Sequence, residues 1–260
     1  MPKIILLLLV LLSTASAAFG HESTASKADI VLTEKLGQYI PADAVFVDEN
    51  GKRINLKNFI DKPTIIAPVY FSCTHECPML LSGLARALGQ LELVRPGKDY
   101  QVLAISFDEN DTPAVARDKK RNYIAAIGKP FPGDAWKFLT GDAVDIKKFT
   151  DSIGFQFQRD GDHDFSHPVT LVVVAPGGKI VRYLEGITFL PFEVTMALNE
   201  AAQGRIGTTR QVLMYCFSYD PLKKSYVFNI LKVTGTVMVL FVGAFLIYLL
   251  KTTKKHRQGI

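Results

Sequence analysis

The chain has 260 residues, enough for one or two domains, and 48% of them are hydrophobic, which is ample for a packed core. Of its 30 basic residues, Lys3 and four that follow Leu250 lie at the ends, so 25 basic and 25 acidic residues remain between. This balance excludes the basic surface expected of a nucleic-acid-binding protein, although the net charge is +5. The three cysteines are too few for a dense disulfide framework.

The N-terminus, residues 1–20, has the pattern of a secretory signal peptide. Lys3 precedes the apolar run IILLLLVLL, which is too short to span a bilayer, and the small residues STASAAFG follow. We expect cleavage after Ala17 or Gly20, with residues 21–40 as an N-terminal linker. The sequence therefore predicts an exported domain.

Between about Pro41 and Gly204, short β-rich runs alternate with helical ones. AVFVDENGKRINL predicts a hairpin around Asn50-Gly51, and the apolar runs TIIAPVYF and YQVLAISFD predict buried strands. Helices are predicted in MLLSGLARALGQLELV, in TPAVARDKKRNYIAAI and from about Asp142 to Ile153. PVTLVVVAPGGKIVRYLEG predicts a second hairpin, and LPFEVTMALNEAAQG a closing helix. This order predicts an α/β domain, residues 41–204, with a mixed sheet and helices on both faces.

The C-terminal region predicts a membrane anchor. After a juxtamembrane connector, residues 205–232, the run VTGTVMVLFVGAFLIYLL at 233–250 is uncharged. Its length is close to the ~20 residues that cross a bilayer as a helix. The basic tail, residues 251–260, marks the cytoplasmic side, so the domain lies outside. We expect a single-pass protein of the bacterial inner membrane, with its domain in the periplasm or outside the cell.

The stretch FSCTHECPML, residues 71–80, holds two of the three cysteines. The spacing of Cys73 and Cys77 leaves open a redox disulfide, a pair of metal ligands or two buried free thiols. Pro78 predicts that a helix begins there with Cys77 at its N-cap, and that Cys73 lies in the loop after a buried strand. A loop can bring both sulfurs together, and a helix N-terminus favours the thiolate form.

Two thiolates suit a soft metal, above all Cu(I), but a third ligand is needed. His75 lies inside the short loop, where a side chain tends to point away from the sulfurs. His163 lies among acidic residues in a predicted exposed loop. His167 directly precedes an apolar strand, so its loop could face the cysteine helix across the sheet. For a lone histidine, a surface or satisfied core position stays open.

With these motifs the chain resembles the Sco/SenC family of copper-binding, thioredoxin-like proteins that assist cytochrome c oxidase assembly. The resemblance spans about Pro41 to Gly204 and is carried by DENGKRINL, FSCTHECP, ISFDENDTP and a histidine ahead of LVVVAPGGKIVRY. It implies a thioredoxin-like fold and a copper ion held by Cys73, Cys77 and His167. Asp108 and Asp111 match the acidic segment of the family, and we interpret them as shaping the loop without ligating the metal.

The resemblance implies a membrane-tethered copper metallochaperone that serves the copper-bearing subunit of cytochrome c oxidase. Other periplasmic copper chaperones or thiol reductants are possible further partners. The alternative is an enzyme, a thiol–disulfide reductase with Cys73 and Cys77 as catalytic pair, which keeps the cysteines of that subunit reduced. The remote histidine distinguishes the two functions, because copper binding needs it and dithiol exchange does not.

Two further residues bear on this choice. HPVT also resembles the thioredoxin segment in which a cis-proline faces the catalytic cysteines. A cis Pro168 that shields the sulfurs would favour thiol exchange over copper binding. Cys216, in LMYCFSYDP, is interpreted as a buried small hydrophobe rather than as a relay thiol.

Overall fold

A computed structural model describes residues 32–161, 164–207, 217–220, 225–228, 234–235 and 237–245. The chain divides into two compact units, Met1–Arg205 and Ile206–Ile260. The strands of the first unit are β1 (Val45–Asp48), β2 (Arg53–Asn55), β3 (Thr64–Val69), β4 (Gln101–Ser106), β5 (Trp136–Thr140), β6 (Gln158–Arg159), β7 (Phe165–Ser166), β8 (Thr170–Val174) and β9 (Ile180–Glu185). Its helices are α1 (Leu56–Phe59), α2 (Glu76–Gly89), α3 (Pro113–Ala126), α4 (Ala143–Ser152) and α5 (Pro191–Ala202).

Seven strands of the first unit form one mixed sheet in the order β2-β1-β5-β4-β3-β8-β9. β3 and β5 are parallel to β4, whereas β8 is antiparallel to β3 with Ile66 opposite Val172. The central strands β3, β4 and β8 are buried along their whole length, as their continuous apolar runs predict. The predicted hairpin at Asn50-Gly51 joins β1 to β2, and Gly51 has the positive φ, +84°, that such a turn requires.

Helices pack on both faces of this sheet, as predicted. Val47 lies opposite Thr140, so these two residues share one face, and Phe138, two positions from Thr140, shares it too. Phe138 stacks on Tyr123 of α3 at 6.1 Å between ring centroids. Phe46, one position from Val47, points to the other face and meets Phe149 of α4 at 5.9 Å.

The first unit includes residues that the sequence assigned to the linker. The backbone N–H of Gly37 donates to Ile180 O, and Ile40 is buried and bonded to Gly178 O. Residues 32–40 therefore pack along the hairpin of β8 and β9. Residues 21–31 of the predicted linker and the predicted signal peptide lie outside the described residues.

In the second unit, β10 (Phe217–Asp220) and β11 (Ser225–Phe228) form an antiparallel pair. Residues 234–235 and 237–245, within the predicted membrane helix at 233–250, are helical. Among the described residues, no helix has both the length and the apolar character that crossing a membrane requires. The rest of the predicted span and the basic tail, residues 251–260, lie outside the described part of the chain.

Candidate metal centre

Three loops that carry the candidate residues lie at the same end of the central strands. The cysteine loop follows the C-terminal end of β3, and the loop with Asp108 and Asp111 follows the same end of the parallel strand β4. His167 precedes β8, whose antiparallel pairing with β3 places the beginning of β8 beside the end of β3. This is the carboxyl end of the parallel strands β3 and β4, where α/β folds place their sites.

The cysteine helix starts two residues earlier than the sequence predicts. α2 begins at Glu76 with His75 as N-cap, so Cys77 lies in the first turn and not at the N-cap. Pro78 also fits in that turn, because the first N–H groups of a helix have no intrahelical partner and proline loses no hydrogen bond there. Cys73 lies in the loop before the helix, as predicted.

The structure brings Cys73, Cys77 and His167 together. Their ligand atoms, two Sγ and one imidazole nitrogen, all lie within 4.8 Å of one another. His167 Nε2 is 3.6 Å from Cys77 Sγ, and both cysteines are free thiols with only 2% of their surface exposed. Within the described part of the chain, this is the one group of three or more potential ligands that could hold a metal ion.

The two thiols have pKa values shifted in opposite directions. Hydrogen bonding from Cys77 lowers the pKa of Cys73 well below that of an ordinary thiol, and His167, Tyr70 and the backbone N–H of His75 add to this effect. The pKa of Cys77 is raised, first by burial and then by its hydrogen bond to Cys73. Cys73 is therefore the thiol of the pair that ionises more readily.

Asp111 organises the backbone that leads into Cys73. Its carboxylate accepts hydrogen bonds from Phe71 N at 2.5 Å, Ser72 Oγ at 2.7 Å and Ser106 Oγ at 2.6 Å. Asp111 is buried, and it does not belong to the cluster of potential ligands. The interpretation of this residue as loop-forming agrees with these contacts.

An aromatic cage surrounds the ring of His167. Tyr70, Phe107 and Phe155 lie 5.8, 5.2 and 6.1 Å from it between ring centroids. His167 Nδ1 is 2.8 Å from Pro168 O, which leaves Nε2 facing the sulfurs. These aromatic residues were not predicted as part of the site, because they come from three separate segments of the chain and no motif marks them.

Asp108 is also buried, and it holds a different part of the site. Its carboxylate accepts a hydrogen bond from Arg159 Nη2 at 3.2 Å, which ties β6 to the loop after β4. Arg159 was not predicted as a site residue from the sequence. No motif marks it, because its contact with Asp108 joins residues that are 51 positions apart.

The other candidate residues of the sequence lie elsewhere. The exposed side chain of His75 is bonded to Thr74, with 3.0 Å between Thr74 Oγ1 and His75 Nδ1, and it is not part of the cluster. The described residues contain no cis peptide bond, so the condition under which Pro168 would favour thiol exchange is not met. His163 and Cys216 lie outside the described residues.

The sequence also matches one protein-family model, described as SCO1/SenC, over residues 34–203. The chain belongs to the SCO1/SenC family. It is similar to a relative from Stutzerimonas stutzeri named "Putative copper-binding protein", at 25% identity over 180 residues that cover 67% of this chain and 83% of the relative. A "SCO1 protein homolog" from Bacillus subtilis is 23% identical over 155 residues, 57% of this chain and 75% of that protein.

Solved structures share the fold of this SCO1/SenC domain. A protein from Aquifex aeolicus VF5 is 33% identical with a TM-score of 0.59, over 65% of this chain and 95% of the other. Arabidopsis thaliana ScoI with copper bound is 22% identical with a TM-score of 0.53, over 63% and 99%. The predicted mixed α/β sheet of thioredoxin-like type with flanking helices is confirmed.

Proposed function

We propose that this protein binds one copper ion through Cys73 Sγ, Cys77 Sγ and His167 Nε2. The convergence of these three atoms within 4.8 Å carries the proposal, since Cys77 and His167 are separated by 90 positions of sequence. Two sulfurs and one imidazole form a soft donor set that suits Cu(I). Structural zinc sites use four protein ligands, whereas the described residues supply three here. The name of the Stutzerimonas stutzeri relative supports the same metal.

The residues of the site prepare it for a soft cation. Cys73 offers a thiolate, because its pKa is lowered, while Cys77 gives up a proton when the metal binds. His167 points its Nε2 at the sulfurs because the aromatic cage and the Nδ1 contact with Pro168 fix the ring. A bound Cu(I) ion would offset one of the two thiolate charges in this buried position.

The copper is cargo in this proposal, delivered to the copper-bearing subunit of cytochrome c oxidase. Residues 1–20 would direct export, and residues 233–250 would hold the domain at the inner membrane with residues 251–260 in the cytoplasm. Residues 205–232 would join the SCO1/SenC domain to this anchor. Other periplasmic copper chaperones or thiol reductants would load the site or reduce it.

The lowered pKa of Cys73 favours a second candidate function, thiol–disulfide reduction. The Cys73 thiolate would attack a disulfide of the oxidase subunit, forming a mixed disulfide and releasing one thiolate of the partner. Cys77 would then attack Cys73 Sγ, its proton passing to the partner thiolate. The partner gains two electrons and leaves as one thiol and one thiolate, which takes its proton from water, while Cys73 and Cys77 end as a disulfide.

Anaerobic titration of the reduced full-length chain with Cu(I), in competition with a chelator, tests the first function. We expect His167→Ala to lower the affinity by about 100-fold or more, since even groups behind the ligands are worth roughly 10- to 100-fold. His75→Ala is the matched control and should bind as wild type, because His75 lies next to the cluster but outside it. Equal affinity in wild type and His167→Ala would refute the ligand assignment and leave the reductase as the better explanation.

A further inference from the structure

Arg159 connects two loops of the site, although it contacts neither sulfur nor histidine. Arg159 Nη2 lies 3.2 Å from Asp108 Oδ1 and 3.1 Å from Glu109 Oε1, both in the loop after β4. Its own strand, β6, pairs with β7, where Arg159 lies opposite Phe165. The chain enters His167 directly after β7. Arg159 therefore joins the segment that presents the histidine to the loop beside the cysteines.

The guanidinium group also lies on Phe165, a ring that packs against the aromatic cage. Arg159 Cζ is 4.4 Å from the centroid of the Phe165 ring, close enough for a cation–π contact. Phe165 in turn packs against Tyr70 at 5.0 Å and Phe107 at 5.5 Å, and both of these rings contact His167. A displacement of Arg159 would therefore reach the imidazole through two layers of packed rings, Phe165 and then Tyr70 and Phe107.

The strand pair that carries Arg159 needs such support. β6 and β7 pair over only two positions, Gln158 with Ser166 and Arg159 with Phe165. An isolated hairpin of this kind is at best marginally stable in water. On its C-terminal side His167 is followed by β8, which is secured in the main sheet, so the N-terminal side is where its position can vary.

We propose that Arg159 is a positioning residue for His167, which holds the imidazole over the two sulfurs by fastening the β6–β7 hairpin to Asp108 and Glu109. This inference deepens the proposed function and rests on it for its relevance to copper. The position of the ring itself can be measured without metal. A result can therefore contradict His167 as a metal ligand without contradicting the role of Arg159, and the reverse also holds.

The direction of the change in Cu(I) affinity distinguishes a positioning role of Arg159 from a purely electrostatic one. Removing a positive charge near a cation site lowers the Coulomb repulsion of the cation and so strengthens its binding, if geometry does not change. We expect Arg159→Gln to weaken Cu(I) binding by about three- to thirtyfold, a scale that two weak, partly exposed ion-pair contacts and one cation–π contact can supply. This expected loss of Cu(I) affinity is opposite to the gain that removal of the charge alone would cause.

The decisive experiment is a double-mutant cycle in the reduced full-length chain, with Arg159→Gln, His167→Ala and the double variant. If Arg159 acts through His167, the loss of Cu(I) affinity caused by Arg159→Gln disappears in the His167→Ala background. Arg121→Gln is the matched control, because this arginine forms its ion pair with Asp118 on the exposed side of α3. An equal loss in both backgrounds would overturn the proposal.

A metal-free readout completes the test. In histidine-labelled, reduced protein, the ring resonances of His167, assigned by their absence in His167→Ala, should shift in Arg159→Gln toward those of a free histidine. They should stay in place in Arg121→Gln, and Arg159→Lys, which keeps the charge but not the planar group, should lie between wild type and Arg159→Gln. Unchanged resonances in Arg159→Gln would overturn the proposal whatever the copper affinities are. Wild-type affinity in His167→Ala would instead remove only the proposed ligand.

Discussion

The carboxylate of Asp111 accepts a hydrogen bond from the backbone N–H of Phe71, across 40 positions of sequence, and thereby fixes the chain two residues before Cys73. The same carboxylate holds the hydroxyl groups of Ser72 and Ser106. A single buried acid thus determines how the cysteine loop leaves β3. An acid in this environment is sensitive to the loss of its charge, because every partner is a donor.

Asp111→Asn should therefore destabilise the reduced protein by about 2–3 kcal/mol, the value of hydrogen bonds to a charged acceptor. The amide replaces one acceptor oxygen with a donor that faces other donors. Chemical denaturation monitored by circular dichroism measures the loss. Asp118→Asn, in the exposed pair with Arg121, is the control and should change stability by less than about 1 kcal/mol.

The opposite pKa shifts of the two thiols predict a stepwise ionisation. In the reduced protein, one thiolate should be present well below pH ~8.5, the ordinary thiol value, and the second should not form near it. Far-ultraviolet thiolate absorbance against pH measures both steps. Cys73→Ser should abolish the early step, whereas Cys77→Ala should keep a thiolate at Cys73 but raise its pKa, since the hydrogen bond from Cys77 supplies the largest lowering contribution. A titration with both thiols at ordinary values would contradict this assignment.

The same shift makes stability depend on pH. Because the folded-state pKa of Cys73 lies below that of the unfolded chain, its contribution is complete above pH ~8.5 and is lost as pH falls toward the folded-state pKa. The difference in unfolding free energy between reduced wild type and Cys73→Ser should therefore shrink as pH decreases from ~8.5. Denaturant titrations of both proteins at several pH values measure it; a difference that grows on acidification would have the wrong sign.

Gly83 of α2 lies where the loop between β9 and α5 approaches the helix. A Cβ atom at this position would stand 1.9 Å from Ile187 O, a backbone atom that cannot rotate away. Gly83→Ala should cost about 2 kcal/mol or more in stability, even though alanine favours helices. Gly133→Ala is the control, since nothing lies within 4 Å of the added atom there, and its thermal midpoint should stay close to wild type.

The predicted membrane anchor should affect the delivery of copper to the oxidase. A chain that ends before Lys232 should be exported and bind copper normally, yet support oxidase assembly poorly at native expression and recover when overproduced. The physical reason is that confinement to one membrane raises the effective concentration of the two partners. Replacing residues 233–250 with an unrelated membrane helix should restore assembly, measured as oxidase activity. Failure of this swap at equal membrane abundance would show that tethering alone is insufficient.

Local sequence signals predicted much of the fold. The apolar runs around Ile66 and Val172 have one strong interpretation, because a continuous apolar strand must be buried on both faces. Pro113 was correctly placed at the first turn of α3, with Thr112 as N-cap. The start of α2 was predicted less well, because Pro78 marks a region near the helix start and not one residue.

The site residues that belong to sequence motifs could be predicted, whereas those that only the fold brings together could not. His167 could be placed near the cysteines from its position before a strand, with the family resemblance as support. The aromatic cage and Arg159 could not, because Phe107, Phe155 and Arg159 meet only after three loops assemble. The direction of each thiol shift was equally inaccessible, since it depends on burial and on which sulfur accepts the hydrogen bond.

The thiol of Cys77 and the imidazole of His167 are separated by 90 positions of sequence, and the strand after the histidine is inserted between β3 and β9. The full donor set therefore does not exist in a nascent chain. It forms only after β8 has been synthesised and has paired with β3, which makes it a late event in folding because long-range pairing follows local structure. If the predicted signal peptide exports the chain in an unfolded state, Cys73, Cys77 and His167 would be brought together only after the chain has crossed the membrane.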